Sequence, residues 1–159
     1  METIGGGKTI DVTTLALDGL MNKHRAVSAN IANSEVAGYQ RQEVSFEDQL
    51  NDILEKEYEQ ETYKSANSKI IPIDPQSVFR SKQMSSVTAS KALEAKQAYG
   101  AFKPMVSDDE SPAISANGNN VNIEKEMVEL AKNTTKYTVL SEVLAKKMAG
   151  IGEVIKGAM

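Results

Sequence analysis

From Ile123 to Ile155 the chain repeats a spacing of four and three without interruption. The series is Ile123, Met127, Leu130, Thr134, Tyr137, Ser141, Leu144, Met148, Ile151 and Ile155. That alternation is the seam of a heptad helix, one apolar stripe on an otherwise charged rod. Asn122 stands where an N-cap belongs, and Glu124 and Glu126 fall in the first turn, where the helix dipole favours acids. Lys156 and Gly157 suit the far end, so the spacing predicts a helix from about Ile123 to Lys156. The same alternation returns near the N-terminus in Thr13, Leu17, Leu20, His24, Val27, Ile31 and Ser34, predicting a helix over about Val12 to Val36.

Neither narrow stripe can be buried by its own helix. The two are expected to pack together, parallel or antiparallel, with neighbouring molecules covering what remains. The fold class follows as mainly α: long N- and C-terminal helices in a coiled-coil-like pair, joined by a loop-rich middle with short helices or strands. Four zones result: a flexible leader over 1–11, the N-terminal helix and its turn over 12–38, an irregular middle over 39–120, and the C-terminal helix over 121–159. Within the middle, Phe46 to Glu57 places Phe46, Leu50, Ile53 and Leu54 on one side of a short helix, and Ile70 to Ile73 reads as extended, bounded by Pro72 and Pro75. Lys91 to Phe102 has helix-forming composition but little amphipathicity.

Chemistry finds little to stand on. There is no Cys and one His, so a transition-metal centre would have to lean on carboxylates. His24 itself falls on the N-terminal seam, where packing explains it. Gly5-Gly6-Gly7-Lys8-Thr9 imitates the end of a phosphate loop, but Glu2 stands where the pattern needs its first Gly. Glu55 to Glu61 is a solvated charge run without the apolar enclosure that separates the pKa values of an acid and a base. Asn133-Thr134-Thr135 spells a glycosylation acceptor inside a predicted helix and is taken as chance. A net charge of −4, with Lys and Arg interspersed among acids, offers no nucleic-acid face. No secretory h-region and no membrane-length apolar run is present. No cofactor, metal or small-molecule substrate is implied.

Between the first helix and the middle lies Ser28-Ala29-Asn30-Ile31-Ala32-Asn33, leading to Gly38-Tyr39 and Arg41, with Val44-Ser45-Phe46 and Leu50 beyond. At the other end, Asn117-Gly118-Asn119-Asn120-Val121-Asn122-Ile123 leads to Leu130-Ala131-Lys132-Asn133-Thr134 and Tyr137. Together these resemble the two terminal signatures of the bacterial flagellar axial proteins, the family of rod, hook and hook-associated subunits, and within it the proximal rod subunits. The residues that carry the likeness are Asn30, Ala32, Asn33, Gly38, Tyr39, Asn119 and Val121. The family usually has Thr-Pro before Gly-Tyr, and here Val36-Ala37 take those positions. Without the proline the first helix is free to run further, leaving Gly38 to end it.

The resemblance implies a non-enzymatic structural subunit, exported through the flagellar apparatus without a cleaved signal and assembled helically in the periplasm-spanning rod of the basal body. Its implied partners are copies of itself, other proximal rod proteins, the rod-to-ring adaptor, the membrane ring and the export apparatus. The expected assembly seam is Leu17, Leu20, Val27, Ile31, Ile123, Met127, Leu130, Tyr137, Leu144, Met148, Ile151 and Ile155. Composition and heptads alone fit equally a helical adaptor or chaperone that accepts a partner helix.

Overall fold

A computed structural model of the chain describes residues 7–68, 75–114 and 116–157, with backbone alone at 66–68 and 75–85. Among them the elements run α1 (Gly7–Ala32), β1 (Gln42–Ser45), α2 (Glu47–Ser68), α3 (Pro75–Ala101), β2 (Met105–Asp108) and α4 (Ile123–Gly157). The mainly helical class with paired terminal helices holds. The chain forms two compact units, one from 1–47 and 103–159, the other from 48–102.

α1 begins at Gly7, so Gly7 to Asp11 are helical rather than part of a flexible leader; residues 1–6 lie outside the described residues. Thr13 and Thr14 donate back to the carbonyls of Thr9 and Ile10 at 2.6 and 2.8 Å, a local helical bond that lets threonine sit inside the helix. The helix stops at Ala32, earlier than Val36. Asn33 Nδ2 and Ser34 Oγ donate to the carbonyls of Ala29 and Ile31, which draws the last turn tight. Gly38 then takes φ +70, the left-handed conformation glycine adopts at least cost.

α4 opens as its sequence predicts. Asn122 Oδ1 accepts the Lys125 amide at 3.1 Å, one of the donors a helix start leaves unpaired. α4 packs against α1 in an antiparallel sense: Asn30 meets Glu126, while ten residues earlier in α1 the carbonyl of Leu20 meets Asn133. β1 and β2 pair antiparallel with Val44 opposite Val106 and Ser45 opposite Met105. The core of this unit is Ala16, Leu20, Ala26, Val27, Val44, Phe46 and Val121.

The middle differs most from expectation. In place of a loop-rich stretch with short helices, 47–101 holds helices of 22 and 27 residues. Glu, Gln, Lys and Ala favour the helix strongly while producing little amphipathic contrast, so periodicity underestimates them. Pro75 starts α3, where its missing amide is harmless. Ile53, Gln60 and Ala95 are buried in this unit, and Lys91 bridges Glu59 of α2 and Glu94 at 2.9 and 3.1 Å. The extended piece expected at Ile70–Ile73 lies outside the described residues.

Phe46 explains a glycine inside α1. A Cβ built at Gly19 would overlap the Phe46 ring, so the ring lies directly on helix backbone. Alanine ordinarily favours a helix over glycine by about 1 kcal/mol. Here overpacking reverses the sign: Gly19→Ala should lose about 1–3 kcal/mol of stability in urea unfolding, and adding Phe46→Leu should recover part of the loss. Equal or greater stability of Gly19→Ala would contradict this packing.

Candidate functional site

The two chain ends are joined by a polar clasp built on side chains at the end of α1, the strand entry and the start of α4. Glu126 is its centre, 1% exposed. A lone buried carboxylate would be strongly disfavoured, and both oxygens are therefore bonded. Arg41 Nε donates to Oε1 at 2.7 Å and Asn30 Nδ2 donates to Oε2 at 2.9 Å. Asn30, fully buried, also donates to the Gln42 carbonyl and accepts the Gln42 amide, both at 2.8 Å, with the Tyr39 hydroxyl at 3.2 Å. Its amide imitates a strand partner for β1 at the end of a helix.

Two further asparagines close the clasp. Asn119 Nδ2 donates to the carbonyls of Asn33, Ser34 and Val36 at 2.9–3.0 Å, and its Oδ1 accepts the Val121 amide at 2.7 Å. It fastens the turn that follows α1, and it is supplied from the other end of the chain. The turn therefore does not rest on Gly38 alone: glycine gives it its φ, and Asn119 ties down three of its carbonyls. Asn120 accepts the Arg41 amide at 2.6 Å and donates to the carbonyls of Asp109 and Ser111.

Arg41 also reaches Asp109 at 3.1 Å and Glu43 at 3.5 Å. Burial alone would make its charge harder to keep, but the bonds to Glu126 and Asp109 raise its pKa overall. Hydrogen bonds from Ser111, and then Arg41, hold the Asp109 carboxyl below its ordinary value. Glu47 is also lowered: burial opposes ionisation, and hydrogen bonds from backbone amides and Lys23 outweigh it. An open groove of about 830 Å³ lies along this region, with Lys23, Arg41, Asp109, Glu126 and Lys132 among its walls. Each of those five is in an ion pair, an arrangement that fastens chain segments together rather than one that moves protons.

The expected seam is partly rotated. Leu20 and Val27 are buried, and Leu17, Ile31, Leu130, Tyr137, Leu144 and Ile151 are half-buried. Ile123, Met127, Met148 and Ile155 are instead 42–59% exposed, and Thr134 is exposed too. The face turned inward runs Glu126, Leu130, Asn133, Tyr137, Leu140, Leu144, which has the same four-three spacing with two polar members. A reading that gives the seam the more apolar of two overlapping series takes the wrong neighbours of Leu130 and Tyr137. Asn133 is buried and donates to the Leu20 carbonyl at 2.9 Å, so it is a packed core residue in this fold. Of the motif residues, Asn30, Asn119 and Val121 are buried, Asn33 and Tyr39 half-buried, and Ala32 and Gly38 exposed. Glu126 and Asn133 on α4, and Asn120 and Asp109 in the stretch before it, escape sequence reasoning because a polar residue reads as solvated until a partner is seen.

Fold and clasp together define a mainly helical protein whose two chain ends make one structural unit. Over 151 residues the chain is 26% identical to the flagellar basal body rod protein FlgB of Borreliella burgdorferi, covering 94% of this chain and 96% of that protein. The resemblance to rod subunits carried by the two ends thus extends through nearly the whole length. No protein-family model matches the chain. Among the described residues no helix is long and apolar enough to cross a membrane.

Arg41→Ala strands the Glu126 carboxylate and should lower stability by about 3–5 kcal/mol, whereas Arg41→Met with Glu126→Met should recover most of it. Urea unfolding of the three proteins checks this, and a double variant no better than the single would overturn it. The pH dependence has a defined sign. Asp109 and Glu47 have lowered folded pKa values, so the unfolded chain binds more protons as pH falls. Their contribution is complete above about pH 4–5, the ordinary carboxylate range, and declines as pH drops through the folded values. The unfolding midpoint should be flat above that range and fall below it; Asp109→Asn should flatten the acid limb.

Proposed function

We propose that this chain is a structural, non-enzymatic subunit of the bacterial flagellar basal-body rod, in its proximal part. The observation that carries the reading is its similarity over 94% of its length to a flagellar basal body rod protein. In this reading α1 and α4 form the subunit's core, and the array is completed by other subunits lying against what that pair leaves open. Ile123, Met127, Met148 and Ile155 support it: each is an apolar side chain more than 40% exposed on a helix already packed along its other face. The clasp supplies rigidity at the junction of both helices, as a stacked subunit requires. The neighbours are further copies, other proximal rod proteins and the rod-to-ring adaptor, so the assembly links the membrane ring to the distal rod. Delivery is by the flagellar export apparatus without a cleaved signal.

Deleting the gene should abolish swimming and leave basal bodies without complete rods. Tyr137→Asp or Leu144→Asp should do the same with expression intact, because each sets a charge into the α1–α4 seam. Met127→Asp differs in kind: the purified protein should keep its helix content while cells lose motility. Motile deletion cells with complete rods would remove the proposal.

A further inference from the structure

The outer side of α4 carries a second four-three series, Lys132, Lys136, Val139, Val143 and Lys146, all exposed and containing no acid. Val139 and Val143 are 54% and 40% exposed, one helical turn apart, with Lys147 beside them. At about 1.5 Å per residue the series is roughly 21 Å long. Lys132 is engaged by Glu129 at 3.0 Å, and Glu142 stands one turn before Lys146, so the stripe is basic with acids at its margin.

The complement occurs on α2. Asp48, Asp52, Glu55 and Glu59 repeat with spacings of four, three and four, and all are exposed; Glu59 is already bridged by Lys91, which leaves Asp48, Asp52 and Glu55 as the open acids of the row. Leu54 and Tyr58 flank this acidic row at 46% and 77% exposure, again one turn apart. Buried Ile53 and Gln60 occupy the other side of the helix, so the apolar pair is not part of the α2 core. An aromatic left so open, beside a row of one sign, is the make-up of an interface anchor with a charged rim.

We infer that the Lys-Val stripe of α4 is a docking surface for a second copy of this chain, which presents the Leu54–Tyr58 pair and acidic row of its α2. Each surface is an i, i+4 apolar pair, and the flanking charges are of opposite sign, so attraction sets both partner and direction. The two surfaces are different patches of one chain. The contact is heterologous, the class from which both closed rings and growing filaments are built. The inference rests on the proposed role as an assembling subunit and names one of its contacts.

Charge reversal in two separate proteins tests it. One variant carries Lys136→Glu, Lys146→Glu and Lys147→Glu; the other carries Asp48→Lys, Asp52→Lys and Glu55→Lys. Circular dichroism establishes that both keep wild-type helix content, and the milder Lys146→Gln with Lys147→Gln stands in if the first does not. By sedimentation, wild-type self-association should weaken at 0.5 M salt, and each variant alone should associate at least about tenfold more weakly than wild type. An equal mixture should restore association, because every contact then pairs opposite charges. No restoration on mixing, variants that associate like wild type, or a wild type that stays monomeric at high concentration each overturn the inference. So does binding of phosphatidylglycerol vesicles by the stripe that mixing does not compete away, which would make its partner a membrane surface. Recovery of wild-type chain in isolated basal bodies tests the functional proposal independently. Its presence there with no restoration on mixing would remove this contact and leave that role intact.

Discussion

The Glu126 carboxylate is the constraint around which the first unit is arranged. A charge with 1% exposure demands bonded partners, and those partners come from two places in the chain. Arg41 must leave the end of α1 in the direction of α4, Asn30 must face inward on the last turn of α1, and β1 must begin where Asn30 can pair with Gln42. Once these are met, little freedom remains in the segment from 30 to 44. Val44 and Phe46 are carried onto α1, and the residue of α1 that the Phe46 ring lies against is a glycine. A packing detail 13 residues from the helix end is thus set by an ion pair at that end.

A buried ion pair of this kind adds little to stability compared with an apolar replacement of the same shape, because desolvation offsets attraction. Its value lies in what it forbids. Two heptad helices with simple apolar stripes can slide by seven residues or reverse direction at small cost. Glu126 against Asn30 and Asn133 against the Leu20 carbonyl are separated by one heptad on α4, and either would be stranded by a slip. One register and the antiparallel sense are selected together.

The terminal helices were legible in the sequence because their periodicity is strong, and the cap at Asn122 because its chemistry is local. The choice of face was not. Leu130, Tyr137 and Leu144 belong to two overlapping four-three series, one continuing through Met127 and Thr134, the other through Glu126 and Asn133. Transfer energies favour the first; the structure takes the second, since Arg41 and a backbone carbonyl are waiting there. α2 and α3 were understated for another reason: helix propensity without amphipathic contrast leaves no period to find. Asn119 was visible as a motif residue, but its work in fastening the turn after α1, eighty-odd residues away, required the fold.

That fastening has a bearing on the order in which the molecule forms. The bonds of the clasp between the two chain ends span 68 to 96 positions, and Asn133 reaches across 113. Contacts so distant in sequence are reached late, after loop closure has been met, and they include those that hold the end of α1 to α4. The second unit, 48–102, lies between the partners in sequence. A chain emerging from its N-terminus therefore holds Asn30 and Arg41 without their clasp partners until Asp109 and Glu126 have followed. The turn that ends α1 is fastened by a residue more than eighty positions beyond it.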